Sequence, residues 1–106
     1  MLSVGLFVRL EAKPGKEQDV AAFLTQGLQM ANQEKTTPLW FALRLGPSTF
    51  AVFDAFHDDS GRQTHLNGPI AKALMTQAAN LLALPPSIET TEILGAKISE
   101  EVQKAA

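Results

Sequence analysis

The sequence predicts a ferredoxin-like α+β fold, in which helices cover one face of a four-stranded antiparallel sheet. Two observations predict it. Stretches with a two-residue hydrophobic period alternate with stretches of helical period, in the order β-α-β-β-α-β. The chain has 106 residues, enough for one compact domain and too few for two. We therefore predict a ferredoxin-fold domain over residues 1–98 and a charged C-terminal tail over residues 99–106.

The first three segments are a strand, a turn and a helix. Residues 2–11 alternate, with aliphatic side chains at the even positions, which is the period of a strand. The sequence KPGK at residues 13–16 is typical of a turn. Apolar residues then recur at helical spacing from about residue 16 to residue 34. We predict that Gly27 lies where this helix passes close to the sheet.

A β-hairpin follows the first helix. Residues 39–45 and residues 49–57 both alternate, and the sequence GPS between them is a short hairpin connection. The second of these strands ends at two aspartates and a serine. Any of these three side chains can cap a helix that starts there, because a side-chain oxygen accepts a hydrogen bond from a free backbone N–H.

The remaining segments are two helical pieces and a last strand. The short helix after the hairpin is interrupted by the sequence NGP at residues 67–69. Pro69 suits the first turn of a second helix, whose apolar stripe continues to about residue 83. Residues 88–98 are predicted to form the fourth strand.

The two faces of the predicted sheet differ in composition. The face predicted to lie against the helices is apolar throughout: Leu2, Val4, Leu6, Val8, Leu39, Phe41, Leu43 and Leu45. The other face is mixed: Ser3, Gly5, Phe7, Arg9, Trp40, Ala42 and Arg44. Large aromatic side chains are poorly suited to bare solvent, so we predict that a second sheet or a pocket covers the mixed face. A homodimer with Trp40 and Arg44 in its interface would provide that cover.

Composition limits the classes of function. The net charge is −2 and no block of one sign occurs, which argues against nucleic acid as the main partner. The chain has no cysteine, which excludes disulfides, thiolate metal sites and thiol nucleophiles. No apolar run approaches the roughly 20 residues of a membrane span. We expect a cytoplasmic protein that binds neither nucleic acid nor membrane.

The same composition gives no sign of a metal or a cofactor. Asp58 and Asp59 form an acidic pair without further oxygen ligands, which is a weak cation site and is better explained by helix capping. No glycine-rich phosphate loop follows a strand, and nothing resembles a flavin or nicotinamide fingerprint. We therefore predict no metal and no cofactor.

Asp54 and His65 are the candidate catalytic residues. Asp54 lies in an apolar strand, where an isolated buried carboxylate is costly and needs a partner. His65 follows one short turn later and is near enough to reach back, so we predict that the two lie close together. In a functional interpretation, His65 is a general base or hydrogen-bond donor oriented by Asp54. In a structural interpretation, the pair only anchors the short helix to the sheet.

Three arginines are candidates for binding a substrate. Arg9 and Arg44, on the mixed face, can pair with Asp54, bind an anionic substrate or form an inter-subunit salt bridge, and a structural role is favoured for both. Arg62 lies three residues before His65, so the two can face the same way on one helix. A solvated side chain is the favoured interpretation of Arg62.

Two aromatic residues complete the candidate binding set. Trp40 can stack on a ring, although a single tryptophan in a strand more often packs in a core or an interface. Phe56 shares a strand face with Asp54 and is a candidate wall of the same pocket.

Three segments together resemble one known family. They are KPGKEQDVAAFL, PLWFALRLGPSTFAVFDAF and GRQTHLNGPIAKAL. Their order and spacing resemble the antibiotic-biosynthesis-monooxygenase-like family of the dimeric α/β-barrel superfamily. The resemblance covers about residues 2–98, and its best markers are the Pro-Gly turn, the acidic residue in the third strand and the following histidine.

This resemblance implies a homodimer in which two sheets pack into a barrel, with a pocket between sheet and helices in each subunit. It implies a cofactor-independent monooxygenase acting on a small aromatic substrate such as a quinol, phenol or anthrone. The alternatives are a non-catalytic dimeric small-molecule-binding module and an isomerase of a small signalling molecule. Haem-degrading relatives use an asparagine in the first strand and a tryptophan in the third. This chain has Ser3 and Gly5 in the first and phenylalanines in the third, which disfavours haem degradation.

Overall fold

The computed structural model describes residues 1–105 and contains four strands and four helices in that range. The strands are β1 (Val4–Glu11), β2 (Leu39–Arg44), β3 (Thr49–Phe56) and β4 (Ser87–Glu92). The helices are α1 (Glu17–Ala31), α2 (Asp59–Leu66), α3 (Pro69–Leu81) and α4 (Glu100–Ala105). The predicted segments are therefore present in the predicted order.

The four strands form one antiparallel sheet in the order β2-β3-β1-β4. The two central strands, β1 and β3, are adjacent along their whole length, from Val4 opposite Phe56 to Glu11 opposite Thr49. Helices α1 and α3 pack against the same face of this sheet. The ferredoxin-like fold predicted from the sequence is confirmed.

The turn between β1 and α1 is formed by the KPGK sequence. Gly15 has φ +84°, in the left-handed region that glycine adopts without a steric penalty. The backbone N–H of Lys16 donates to the carbonyl of Lys13, which closes the turn and directs α1 back over the sheet.

The hydrophobic core lies between the sheet and helices α1 and α3. Its buried members are Val8, Leu10, Ala12, Val20, Leu24, Phe50, Val52, Leu81 and Leu82. Leu6, which is 1% exposed, faces the helices as predicted. The even positions of β1 and the even positions of β3 therefore supply the helix-facing side of the two central strands.

The predicted orientation of β2 is wrong. Phe41 is 52% exposed and Leu43 is 38% exposed, so neither is buried against the helices. Trp40 packs against the core instead, and its indole lies where a Cβ on Gly27 of α1 would be 3.5 Å away. Both residue sets of β2 are largely apolar, so the alternation identifies a strand without identifying which set faces the helices.

Reversing β2 also corrects the predicted dimer interface. Trp40 and Arg44 lie on the helix-facing side of β2, so they do not belong to the opposite side of the sheet. That opposite side, which we call the open face, is more apolar than predicted. It carries Phe7, Leu39, Phe41, Leu43 and Phe53, and Phe41, Phe53 and Phe7 lie side by side across three strands.

The fourth strand is shorter than predicted. It ends at Glu92, which pairs with Val4 at the start of β1. The backbone N–H of Ile93 still donates to Ser3, and beyond that point β1 offers no further residues for pairing. The predicted tail contains the short helix α4, and Ala106 lies outside the described residues. Within residues 1–105, no helix is both long enough and apolar enough to cross a membrane.

Candidate functional site

Helix α2 places His65 against the helix-facing side of the sheet. Asp58 caps the helix, since its Oδ1 accepts a hydrogen bond of 2.9 Å from the backbone N–H of Gly61. A Cβ at Gly61 would lie 3.0 Å from the carbonyl oxygen of Thr36, so the first turn packs tightly on the connection between α1 and β2. His65, in the last turn, is 7% exposed.

Arg62 fixes the same helix to the sheet. Its Nη1 donates to the carbonyl oxygens of Gly5 on β1 and Thr91 on β4, each at 3.1 Å. Its Nη2 lies 2.9 Å from Oδ1 of Asp59, one helical turn earlier. Arg62 is therefore a half-buried anchor for α2, in contrast to the solvated side chain favoured from the sequence.

Asp54 lies in the middle of β3 and is completely buried. As the sequence predicts, it is close to His65, whose Nε2 lies 2.9 Å from Asp54 Oδ2. Within the described residues, neither oxygen of Asp54 makes a hydrogen bond of good geometry. The carboxylate is thus held mainly by the charge of the imidazole, and one of its oxygens is free to meet another group.

Glu34 is a second carboxylate at the same histidine. Its Oε1 lies 2.6 Å from Nδ1 of His65 and also accepts a hydrogen bond of 2.7 Å from the hydroxyl of Thr37. Sequence reasoning missed this residue, because Glu34 stands in the polar run NQEKTT, where a solvated carboxylate is expected. The only sequence signal for Glu34 is indirect. A histidine buried beside an aspartate needs a partner for its second ring nitrogen, because an unpaired buried polar group is costly.

The three groups form a buried Glu34–His65–Asp54 cluster in which both imidazole nitrogens face carboxylates. Burial alone would lower the pKa of His65, but the Asp54 and Glu34 carboxylates outweigh burial and hold the pKa above its ordinary value. The ring of Phe56 lies against the imidazole, with 5.5 Å between the ring centroids. The two carboxylates therefore favour the protonated form of the imidazole that lies between them.

A cavity of about 50 Å³ lies between the sheet and the helices and reaches this cluster. Asp54, His65 and Trp40 line it, and nearly all the remaining wall is aliphatic or aromatic. Phe23, Gly27 and Ile70 line both this cavity and a groove of about 680 Å³ between α1 and α3. These three residues therefore separate the cavity from the groove.

The structure brings some of the predicted site residues together and leaves others apart. Asp54, His65 and Trp40 line one cavity, and Phe56 supports the histidine. The three arginines do not line it: Arg62 anchors α2, and Arg9 is exposed on the open face. Arg44 binds carbonyls of the β2–β3 hairpin and lies 4.8 Å from the ring centre of Phe50. The catalytic and binding roles themselves stay predictions.

Residues 1–105 contain no group of three or more histidine, cysteine or acidic side chains arranged to hold a metal ion. The Glu34–His65–Asp54 cluster is consistent with this, since both imidazole nitrogens already contact carboxylate oxygens. The groups that the cluster presents can move protons and bind polar groups.

The titration of His65 tests the cluster directly. We expect its imidazole to titrate above the reference pKa of 6.5 in the folded protein, and Asp54→Asn to lower that value by removing a carboxylate. Since the folded pKa exceeds the unfolded one, the stability this contributes is complete below about pH 6.5 and is lost as pH rises through the folded pKa. NMR titration of the imidazole resonances measures this, and a midpoint at or below 6.5 would contradict the arrangement.

Comparison with solved structures finds high sequence identity to a protein from Nitrosomonas europaea. A protein of unknown function from Nitrosomonas europaea, NE2512, is 60% identical, with a TM-score of 0.91, over 93% of this chain and 96% of its own. No protein-family model matches the chain, and no protein in the curated set matches it.

More distant structures share the fold. Rv0793 from Mycobacterium tuberculosis is 15% identical with a TM-score of 0.78, over 89% of this chain and 97% of its own. A candidate antibiotic biosynthesis monooxygenase from Nitrosomonas europaea is 14% identical with a TM-score of 0.77, over 87% of this chain and 99% of its own. At these identities the likeness concerns the fold alone.

Proposed function

We propose that this chain is a cofactor-independent monooxygenase of a small hydroxylated aromatic compound. The chain belongs to the same family as NE2512, and its fold matches the antibiotic-biosynthesis-monooxygenase-like family. Quinols, phenols and anthrones are the substrates in question. The observation that carries the proposal is the buried Glu34–His65–Asp54 cluster at one end of an apolar cavity. Such a combination of titratable groups and apolar walls is typical of acid–base sites.

The geometry favours Asp54 as the group that meets the substrate. Both nitrogens of His65 are already within 2.9 Å of a carboxylate oxygen, so the imidazole has no free nitrogen to receive a proton. Asp54 lines the cavity and has an oxygen, Oδ1, without a polar partner. This reverses the roles suggested by the sequence, in which His65 was the base and Asp54 its orienting partner.

Asp54 is the acceptor of the substrate proton in this proposal. Its side chain lines the cavity and its Oδ1 has no hydrogen-bond partner within residues 1–105, so a substrate hydroxyl can donate to it directly. The resulting phenolate or enolate is electron-rich and supplies all the electrons that reduce molecular oxygen. One oxygen atom enters the ring as a carbonyl oxygen, and the other leaves as water together with the two hydrogen atoms that the substrate loses, so the product is a quinone.

Oxygen consumption with a panel of quinols, phenols and anthrones tests this function. We expect consumption with at least one member of the panel, accompanied by a product whose mass shows the gain of one oxygen atom and the loss of two hydrogen atoms. Binding of panel members without oxygen consumption would contradict the oxygenase and favour the binding module.

We also propose that a second copy of the chain covers the open face. Phe41 is 52% exposed and Leu43 is 38% exposed, and they lie beside Phe53 and Phe7 on one side of the sheet. A contiguous exposed apolar surface of this kind is typical of an interaction site. An interface of the stable type would bury more than about 1,200 Å² in total.

Phe41→Asp is expected to convert the dimer to a monomer, because it places a charge in the middle of the apolar patch. Light scattering at micromolar protein measures the mass. Met75→Asp is the matched control, since Met75 is 61% exposed but lies on α3, away from the open face. A monomeric mass for the unmodified protein, or a dimeric mass for Phe41→Asp, would contradict this interface.

A further inference from the structure

The cavity next to the cluster has a small and specific set of polar groups. Its wall contains the Asp54 carboxylate, the His65 imidazole and the Trp40 indole, and both nitrogens of the imidazole are occupied by carboxylates. The polar groups left to meet a ligand are therefore the Asp54 carboxylate and the indole N–H of Trp40.

Each of these two residues has a buried polar atom without a hydrogen-bond partner among the described residues. Nε1 of Trp40 is shielded from solvent and has no acceptor, and Oδ1 of Asp54 has no donor, whereas Oδ2 of Asp54 lies 2.9 Å from Nε2 of His65. The two residues are direct partners across β2 and β3, both face the helices, and both line the cavity. A buried polar group without a partner carries an unfavourable desolvation free energy. A ligand that forms a hydrogen bond with each of the two groups offsets this penalty at both.

We propose that Trp40 and Asp54 form a subsite for a neutral hydroxyl group of a small ligand. The hydroxyl donates to the Asp54 carboxylate, and its oxygen accepts from Nε1 of Trp40. A hydroxyl is the smallest group that donates and accepts through one atom. The subsite lies within the site of the proposed oxygenase and adds to it a residue, Trp40, that selects the ligand.

The charge of the cluster makes this subsite selective. An ether accepts from Trp40 but donates no hydrogen bond to Asp54, so Oδ1 of Asp54 stays without a partner. A carboxylate ligand approaches Asp54, which lines the cavity, and Glu34 behind it, and is disfavoured by repulsion from these two acidic side chains. An alcohol or a phenol in its neutral form is therefore the preferred class.

The size of the cavity determines where the rest of the ligand lies. A cavity of about 150 Å³ is known to hold benzene, whereas this one measures about 50 Å³ and accommodates the hydroxyl end of a ring compound. The ring extends toward the groove between α1 and α3, past Phe23, which lines both spaces. Phe23→Ala is expected to join the two spaces and to strengthen binding of ring compounds.

Calorimetric binding of phenol, its methyl ether anisole, and benzoate tests the subsite. We expect phenol to bind about tenfold to a hundredfold more tightly than anisole, which is the range expected for leaving a buried polar group unpaired. Benzoate is expected to bind more weakly than phenol. Trp40 is the only tryptophan and the chain has no tyrosine, so a change in protein fluorescence on binding reports this position alone.

Trp40→Phe provides the matched variant, because it keeps an aromatic ring and removes the N–H. We expect it to reduce the preference for phenol over anisole while the circular dichroism spectrum stays unchanged. Should Trp40→Phe fail to fold, the comparison of phenol with anisole on the unmodified protein and on Phe23→Ala still decides the question.

Equal affinity for phenol and anisole would overturn the subsite, as would an unchanged preference in Trp40→Phe. Failure of phenol to bind both the unmodified protein and Phe23→Ala would also overturn it. These outcomes are separate from the oxygenase. A preference for phenol over anisole without oxygen consumption would support the subsite and contradict the oxygenase. Oxygen consumption without that preference would support the oxygenase and contradict the subsite.

Discussion

His65→Gln is expected to lower the free energy of unfolding by about 3–5 kcal/mol, the usual cost of removing one partner from a buried charge pair. His65 is the positive group of its cluster and separates two shielded carboxylates, with Asp54 1% exposed and Glu34 15% exposed at their side chains. Glutamine has a similar reach but no charge, so both carboxylates lose their counter-ion. Urea denaturation at neutral pH and fixed protein concentration measures the loss.

Two further variants show whether charge is the cause of this loss. His57→Gln changes the other histidine, which is exposed, and should shift stability by less than about 0.5 kcal/mol. The double variant Asp54→Asn/His65→Gln removes one carboxylate together with the imidazole and should be more stable than His65→Gln alone. If the double variant is no more stable than the single one, the loss comes from packing and the charge argument is wrong.

Asp54→Asn is expected to lower kcat/KM by about two to four orders of magnitude on any substrate that supports oxygen consumption, the usual contribution of a general base. Asparagine has nearly the shape of aspartate but takes up no proton at neutral pH. Because the side chain is buried at the end of the cavity, the change acts on the reaction rather than on the surface of the protein. Steady-state oxygen consumption measures it.

The decrease should appear mainly in kcat, since the asparagine amide still offers an oxygen to the hydroxyl of the substrate. Glu92→Gln is the control, because Glu92 is an exposed carboxylate at the end of β4 and does not line the cavity. Full activity of a folded Asp54→Asn variant would remove the base role and leave Asp54 as a structural partner of His65.

Periodicity alone predicts the elements of this fold because each makes a strong local signal. The alternation in β1 and β3 and the helical stripe in α3 coincide with buried residues such as Leu6, Val52 and Ile70. The orientation of β2 could not be predicted in this way. Both of its alternating residue sets are largely apolar, so the pattern does not show which set is buried. Only the packing of Trp40 over Gly27 of α1 decides which set faces the helices, and that contact joins residues far apart in sequence.

The candidate site also contains residues that local sequence predicts and one residue that it does not. Asp54 and His65 were predictable as neighbours because a short turn joins β3 to α2, which leaves little freedom in where the histidine lies. Glu34 comes from the connection after α1 and reaches His65 only once α2 has packed on that connection. Its role depends on tertiary structure, so a polar residue in a polar run carries no local sign of it.

The open face, with Phe41 52% exposed, has a consequence for how this protein behaves at different concentrations. If a second copy covers that face, folding and association form a single equilibrium, because the partner binds the folded chain and not the unfolded one. Each tenfold dilution then removes about 1.4 kcal/mol from the stability of the assembly by mass action. The temperature of unfolding should therefore fall as the protein is diluted, and a protomer newly made in a cell would reach its full stability only on meeting a second copy.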